Sequence, residues 1–135
     1  MSDYTYTLLN DEATITGYTG PGGELMIPET LDSYPVKHIG AFALAFKTTI
    51  ISVSIPNCVV SIGDGAFAEC TRMTSFSTGD GVVTIGNFAL HGASSLSLMV
   101  LGTGVASIGY LAFDGINPLA TVELHMLAQP EIIGG

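Results

Sequence analysis

Positive charge is nearly absent from this chain of 135 residues. Three Lys and Arg residues stand against 12 Asp and Glu, which gives a formal net charge of −9 at pH 7. No basic side chain follows Arg72. A surface of this sign repels phosphate backbones and anionic lipid headgroups. We therefore expect no nucleic-acid partner and no electrostatic attachment to membranes.

Long apolar runs are also missing. Although 47% of the residues are hydrophobic, no run approaches the ~18 residues of a membrane-spanning helix, so membrane insertion is not expected. The residues from Met1 to Tyr4 provide neither the basic nor the apolar segment of a secretory signal. On the sequence alone, the chain is either intracellular or has lost a leader that was replaced by Met1.

Cysteine is scarce, and its spacing indicates no metal site. Cys58 and Cys70 form no C-x-x-C pair and have no histidine at ligand spacing, so zinc is not expected. Two cysteines do not form a stapling framework, although a disulfide between them stays open. Cys70 is predicted to be a small buried side chain, whereas Cys58 follows Pro56 and Asn57 in a predicted turn.

An internal repeat dominates what is present. Ile-Gly recurs every 23 residues, a Val stands three residues before each Ile, and an Ala followed by Leu or Phe stands four residues after it. The Ile-Gly pairs begin at Ile39, Ile62, Ile85 and Ile108. A strict repeat of this length predicts a solenoid of leucine-rich-repeat type, mainly β, in which each coil buries its apolar edge against the next.

Within each coil, the residue pattern predicts one short strand. Residues 50–55, 73–78, 96–101 and 119–124 share apolar residues at their first, fourth and sixth positions. The fourth-to-sixth spacing is β alternation, so we expect short parallel strands stacked at the 23-residue period. The opposite V-x-x-I-G edge should turn at its glycine. The following x-x-A-(F/L) segment is expected to form a short helical or 3₁₀ turn.

The two ends of the chain differ from the regular coils. Residues 4–9 and 13–18 flank the turn former Asn10-Asp11-Glu12 and predict a β-hairpin that caps the first coil. The chain is expected to be one domain. Residues 1–35 would form the cap and an irregular first unit with five extra residues, and residues 36–126 the regular repeats. Residues 127–135 would form an incomplete further repeat, as if the chain were cut from a longer array.

Two segments resemble a known family. They are S-I-G-D-G-A-F-A-E-C-T-R-M-T-S-F at residues 61–76 and A-T-I-T-G-Y-T-G-P-G-G-E-L-M-I-P-E-T-L-D-S-Y-P-V at residues 13–36. Both are similar to the BspA-type leucine-rich repeat family of bacterial surface proteins. The resemblance implies an extracellular or cell-surface location and a role in adhesion. The Pro of the strand-ending Ile-Pro recurs only at Pro28 and Pro56, which departs from the family pattern.

No catalytic or metal-binding constellation can be assembled from the sequence. His38, His91 and His125 fall at different phases of the repeat and so on different faces of the coil. Asp64 and Asp80 precede glycines, which is typical of turns, and the acid spacing of a calcium loop is absent. We therefore expect no enzyme activity, no metal and no cofactor.

The outward residues of the predicted sheet form the candidate binding face. They are mostly small and uncharged, with Leu98 and Val100 as apolar exceptions. The set is Ser52, Ser54, Ser75, Ser77, Leu98, Val100, Thr121 and Glu123.

Two functions fit this pattern. The first is a module that binds a protein or a glycan through this face or through loops on one rim. The alternative is a structural spacer without a dedicated ligand.

A homodimer is a further possibility, because the last coil would leave Val122, Leu124, Ile132 and Ile133 uncovered.

Overall fold

The computed structural model describes residues 3–125 and the backbone of residues 131 and 132. No helix occurs among these residues, and β-strands form the regular structure. The strands are β1 (Tyr4–Leu9), β2 (Glu12–Tyr18), β3 (Gly23–Met26), β4 (Thr30–Leu31), β5 (Tyr34–Ile39), β6 (Ile50–Ser54), β7 (Ser61–Ile62), β8 (Ser75–Ser77), β9 (Thr84–Ile85), β10 (Leu98–Leu101), β11 (Ser107–Ile108), β12 (Thr121–Leu124) and β13 (Glu131–Ile132).

One parallel sheet, which we call the front sheet, contains β3, β6, β8, β10 and β12 in that order. Val53 pairs with Phe76, and Phe76 with Met99, so equivalent residues of successive coils are direct neighbours. These three side chains point inward and are at most 3% exposed. The predicted parallel strands are confirmed. They are shorter than the predicted segments because the first inward residue, such as Met73, lies in the bend before the strand.

A second sheet, the back sheet, runs along the V-x-x-I-G edge, where the sequence predicted only a turn. Ile39, Ile62, Ile85 and Ile108 pair in a single ladder through β5, β7, β9 and β11, and all are at most 4% exposed. The bend begins one residue later. A β-carbon at Gly63 would lie 2.8 Å from the backbone nitrogen of Ala41, so glycine is needed for the coils to approach each other.

The third side of each coil is a series of hydrogen-bonded turns, and the predicted helical or 3₁₀ turn is not confirmed. The N–H of Ala43 donates to a carbonyl three residues back, but the N–H groups of Phe42 and Leu44 donate to Asp64 and Ala66 of the next coil. Half of the donors therefore link coils, whereas a helix would use them locally. We call this side the turn ladder; it comprises residues 40–47, 63–70, 86–93 and 109–116.

Left-handed backbone at two positions explains why no helix forms in the turn ladder. One position has φ between 52° and 62°, and the other has φ between 60° and 80°. A right-handed helix cannot pass through residues of this conformation. The first position is occupied by Phe42, Gly65, Phe88 and Leu111, and the second by Phe46, Glu69, Gly92 and Gly115.

The interior is a dry column shared by the three sides. Phe67 from the turn ladder packs edge-to-face against Phe76 from the front sheet, with ring centroids 5.3 Å apart. Both rings are buried, as are the alanines and leucines that follow each Ile-Gly. Thr78 is a buried polar residue whose Oγ1 accepts the N–H of Gly102 at 2.8 Å. Each coil thus provides the apolar wall that its neighbour needs.

The N-terminal hairpin forms as predicted. β1 and β2 are antiparallel, and the connecting Asn10 and Asp11 both have positive φ, as a two-residue hairpin turn requires. β2 then pairs in parallel with β5, so the hairpin extends the back sheet across the first coil. Ala13 and Ile15 of β2 are fully buried beneath it.

The extra residues of the first unit form a second small hairpin. β4 pairs antiparallel with the start of β5 through a turn at Asp32 and Ser33, both with positive φ. The hydroxyl of Tyr6 donates to the carboxylate of Asp32 and ties this hairpin to the first one. The five extra residues therefore leave the interior without interrupting the stack.

The C-terminal end continues the back sheet for at least one more strand. Ile132 of β13 pairs with Ile108 in parallel register. Most of the predicted incomplete repeat at residues 127–135, and the side chains of Ile132 and Ile133, lie outside the described residues. Val122 and Leu124 are exposed, as expected for the last coil, while the homodimer stays a prediction.

Candidate binding faces

The structure brings all eight predicted face residues together on the outer side of the front sheet. Ser52, Ser75, Leu98 and Thr121 form one straight column, and Ser54, Ser77, Val100 and Glu123 form the next. We call this surface the front face. Ser54, Thr121 and Glu123 are exposed, and the other five are half-buried. Leu98 and Val100 are thus less open than the sequence suggested.

The front face extends to residues that sequence reasoning left out. Met26 of β3 pairs with Ser54 and is 80% exposed, and Glu24 pairs with Ser52. The five-residue insertion moved these residues out of the 23-residue register. The similarity of Leu25-Met26-Ile27-Pro28 to residues 53–56 was the signal that could have placed them.

The acidic turn residues link the coils through their side chains. Asp64 Oδ1 accepts the N–H of Asn87 at 2.8 Å, and Asn87 Oδ1 accepts the N–H of Tyr110 at 2.7 Å. Asp80 Oδ1 accepts the N–H of Thr103 at 3.0 Å in a parallel series. Among the described residues, no three His, Cys, Asp or Glu are arranged to hold a metal ion. The predicted turn role of both aspartates therefore has a direct structural basis.

The three histidines lie on three sides of the molecule. His38 Nδ1 is 2.6 Å from Ser61 Oγ on the back sheet, and His125 follows β12 on the front side. His91 lies in the turn ladder between two carboxylates. Its Nε2 is 3.6 Å from Glu69 Oε1, and its Nδ1 is 3.2 Å from Asp114 Oδ2. The second contact lacks hydrogen-bond geometry and leaves Nδ1 without a hydrogen bond to a described residue.

The two cysteines are free thiols in different settings. Cys70 is fully buried as predicted, with Sγ 3.2 Å from the carbonyl oxygen of Leu44, and burial raises its pKa to about 11. Cys58 is half-buried, and desolvation raises its pKa as well. Neither thiol has the lowered pKa of a reactive cysteine.

Four exposed aromatic side chains on the turn ladder were missed by sequence reasoning. Phe42, Phe46, Phe88 and Tyr110 are 59%, 68%, 37% and 44% exposed. We call them the aromatic stripe. Sequence reasoning treated the two residues before the repeated alanine as variable. The signal that could have found the stripe is that Phe42 and Phe88 share one repeat position, two coils apart.

Contacts between coils hold these rings in place. The ring of Phe42 covers Gly65, where an added β-carbon would overlap it. Phe88 packs edge-to-face against Tyr110, with centroids 5.8 Å apart and planes at 85°. Phe88 also packs edge-to-face against His91, with centroids 5.7 Å apart. Because His91 contacts Glu69 and Asp114, the rings and the carboxylates form one continuous surface.

Comparison with known proteins identifies the repeat. The family described as "BspA type Leucine rich repeat region (6 copies)" matches residues 36–129, more than half of the chain. The chain belongs to the BspA-type leucine-rich repeat family. A BspA-type array is a repeat scaffold that interacts through its surfaces. No curated protein matches the chain.

Solved bacterial leucine-rich repeat proteins share this BspA-type fold. A protein from T. pallidum is 26% identical with a TM-score of 0.80, over 90% of this chain and 62% of that one. A protein from Bacteroides capillosus is 28% identical with a TM-score of 0.80, over 92% of this chain and 95% of that one. A leucine-rich cell surface protein from Faecalibacterium prausnitzii is 27% identical with a TM-score of 0.60, over 90% and 41%.

The BspA-type chain thus spans less than two thirds of the T. pallidum and F. prausnitzii proteins. Within the described part of the chain, no helix is long and apolar enough to cross a membrane.

Proposed function

We propose that this chain is a non-enzymatic binding module of a bacterial surface protein, and that it contacts another protein through the front face. The observation that carries the proposal is the register of the front sheet, which aligns small side chains in two straight columns. Such a surface is flat, extended and rigid. Repeat proteins bind through surfaces of this kind and distribute affinity over many residues.

Two further observations support a surface location and an adhesive role. The F. prausnitzii neighbour is described as a cell surface protein. The front face also combines small hydroxyl side chains with the exposed Met26 and the half-buried Leu98 and Val100. Mixed polar and apolar surfaces of low charge are typical of protein interfaces. The partner would be a host-matrix protein or a protein of a neighbouring cell, with a glycan as the alternative ligand.

The test introduces charge into the centre of the front face. Leu98→Asp/Val100→Asp should abolish binding to whichever member of a panel of immobilised matrix proteins and oligosaccharides the chain retains. Val60→Asp/Val83→Asp is the matched control, because these residues are also outward and apolar but lie on the back-sheet side. Unchanged binding by the front-face variant would eliminate this face.

The second candidate is a structural spacer. The observation that favours it is the low charge and small size of the front-face columns, which need no ligand to be stable. A spacer tolerates charge on every outward face and binds no member of the panel. Equal binding by both double variants, or none by the natural chain, would therefore replace the binding module with the spacer.

A further inference from the structure

The aromatic stripe lies on a different side of the coil from the front face and is held there against backbone preference. Phe42, Phe46 and Phe88 all have left-handed φ values, between 55° and 63°. Bulky residues rarely adopt this conformation, and glycine occupies the same positions at Gly65 and Gly92. Strain of this kind persists where the side chain serves a purpose. Burial does not supply the purpose, because all three rings are exposed.

The rings are close enough to act together. Phe42 leans over Gly65 of the next coil, Phe88 follows at the same position one coil later, and Tyr110 contacts Phe88. Coils stack at the strand spacing of about 4.8 Å. Phe42, Phe88 and Tyr110 therefore cover about 15 Å along the turn ladder, enough to contact several residues of an extended peptide.

The surroundings of the stripe are acidic. Glu69 and Asp114 flank His91 beside the Phe88 ring, and Asp64 is exposed next to Gly65. Lys47 follows Phe46 at the N-terminal end of the ladder, while Lys37 lies in β5 and Arg72 lies beyond the turn segment. The site therefore centres on Phe88 and Tyr110 and leaves out Phe46. Its charge matches the net charge of −9.

We propose that the turn ladder binds an arginine- or lysine-bearing segment of another protein, with the cations over Phe42, Phe88 and Tyr110. Ring faces attract cations, most strongly guanidinium groups. The carboxylates of Glu69 and Asp114 lie beside the rings and can pair with the same groups. Because the planes of Phe88 and Tyr110 cross at 85°, they form no continuous flat platform for successive sugar rings. This geometry favours side-chain recognition over glycan stacking.

The test uses an eight-residue peptide of alternating arginine and glycine, titrated into the chain at 150 mM salt and followed by NMR. The aromatic signals of Phe88 and Tyr110 should shift. Phe42→Gly/Phe88→Gly should weaken binding about tenfold, the loss expected for two cation–ring contacts. Glycine suits the backbone at both positions, so this variant keeps the fold. Val60→Ser/Val83→Ser, which removes two exposed apolar side chains elsewhere, should change the affinity less than about twofold.

A second pair of variants separates the site from general attraction by net charge. Glu69→Gln/Asp114→Asn and Glu24→Gln/Asp11→Asn each remove two negative charges, but only the first pair is in the turn ladder. The first pair should weaken peptide binding several-fold more than the second. Equal effects, an unshifted Phe88 signal or full binding by the glycine variant would overturn the proposal. Stripe-dependent competition by an oligosaccharide would reassign the site to glycans.

Discussion

The ring of Phe42 lies over the backbone of Gly65 in the next coil, at a point where any β-carbon would overlap it. Both residues have left-handed φ, 55° and 62°. The two positions are 23 residues apart and equivalent in the repeat, so one coil supplies the ring and the next supplies the space for it. This pairing shows how residues at one repeat position can have opposite roles.

The first prediction concerns this pair. Gly65→Ala should lower the free energy of unfolding by about 1–2 kcal/mol, because alanine resists left-handed φ. The ring of Phe42 adds a steric penalty, although it can swing aside. In a Phe42→Gly background, the same Gly65→Ala change should therefore cost measurably less. Urea unfolding of the four proteins in this double-mutant cycle gives the coupling. Additive effects would show that the ring does not occupy the space above Gly65.

The second prediction separates a turn role from a calcium role for Asp64. Asp64→Ala should lower the free energy of unfolding by about 1–2 kcal/mol, because the N–H of Asn87 loses its partner. Asp64→Asn keeps an acceptor oxygen and should cost less than half as much. Both values should be the same with calcium and with a chelator. Calcium-dependent stability lost in Asp64→Asn would contradict this account.

The third prediction is a loss of stability at alkaline pH through Cys70. Burial raises the pKa of this thiol from 9.0 to about 11, so the folded protein holds the proton more tightly than the unfolded chain. The resulting stabilisation is complete below pH 9 and declines as the pH rises toward 11. A shift of this size corresponds to about 2–3 kcal/mol.

Urea midpoints at pH 8 and pH 10.5 measure this effect. Cys70→Ala should lose about 2 kcal/mol less than the natural chain over this range. Alanine occupies the equivalent position at Ala93, which is also buried, so the variant should fold. Cys58→Ala, at a half-buried thiol, should restore less. An alkaline loss equal in all three proteins would rule out Cys70 as its source.

The fourth prediction concerns the direction of side chains in the back sheet. Ile62→Ala should lower the free energy of unfolding by about 2–5 kcal/mol, because it removes a buried side chain from a close-packed column. Val60→Ala, two residues earlier and 37% exposed, should cost less than about 1 kcal/mol. Thermal or urea unfolding of the two variants provides the comparison. Similar losses would mean that the edge is not an inward–outward strand.

The repeat could be predicted because it is written in identical spacings. Ile39, Ile62, Ile85 and Ile108 pair in one ladder, and the hairpin around Asn10 and Asp11 forms where the turn residues indicate. The front face could also be predicted, since alternation from Val53 to Ile55 fixes which neighbours point outward. Met26 escaped because an insertion of unequal length hides register from a fixed-interval search.

The third side of the coil could not be predicted from local pattern. An Ala-Phe pair after a glycine is compatible with a short helix, and the sequence does not show which N–H groups will find partners in another coil. Phe42 and Phe88 were overlooked for a related reason. Aromatic residues in a hydrophobic repeat are expected inside, and only the left-handed backbone turns these two rings outward.

The sequence by itself determined the stacking, because identical apolar residues at one interval can be buried only if each coil lies over the next. It also determined the sign of the surface charge and where the chain departs from the repeat. Only the tertiary structure decided that the turns link coils instead of closing helices, and that phenylalanines stand beside carboxylates on an open face. Those features depend on hydrogen bonds and contacts between residues 22 to 46 positions apart, which no local pattern specifies.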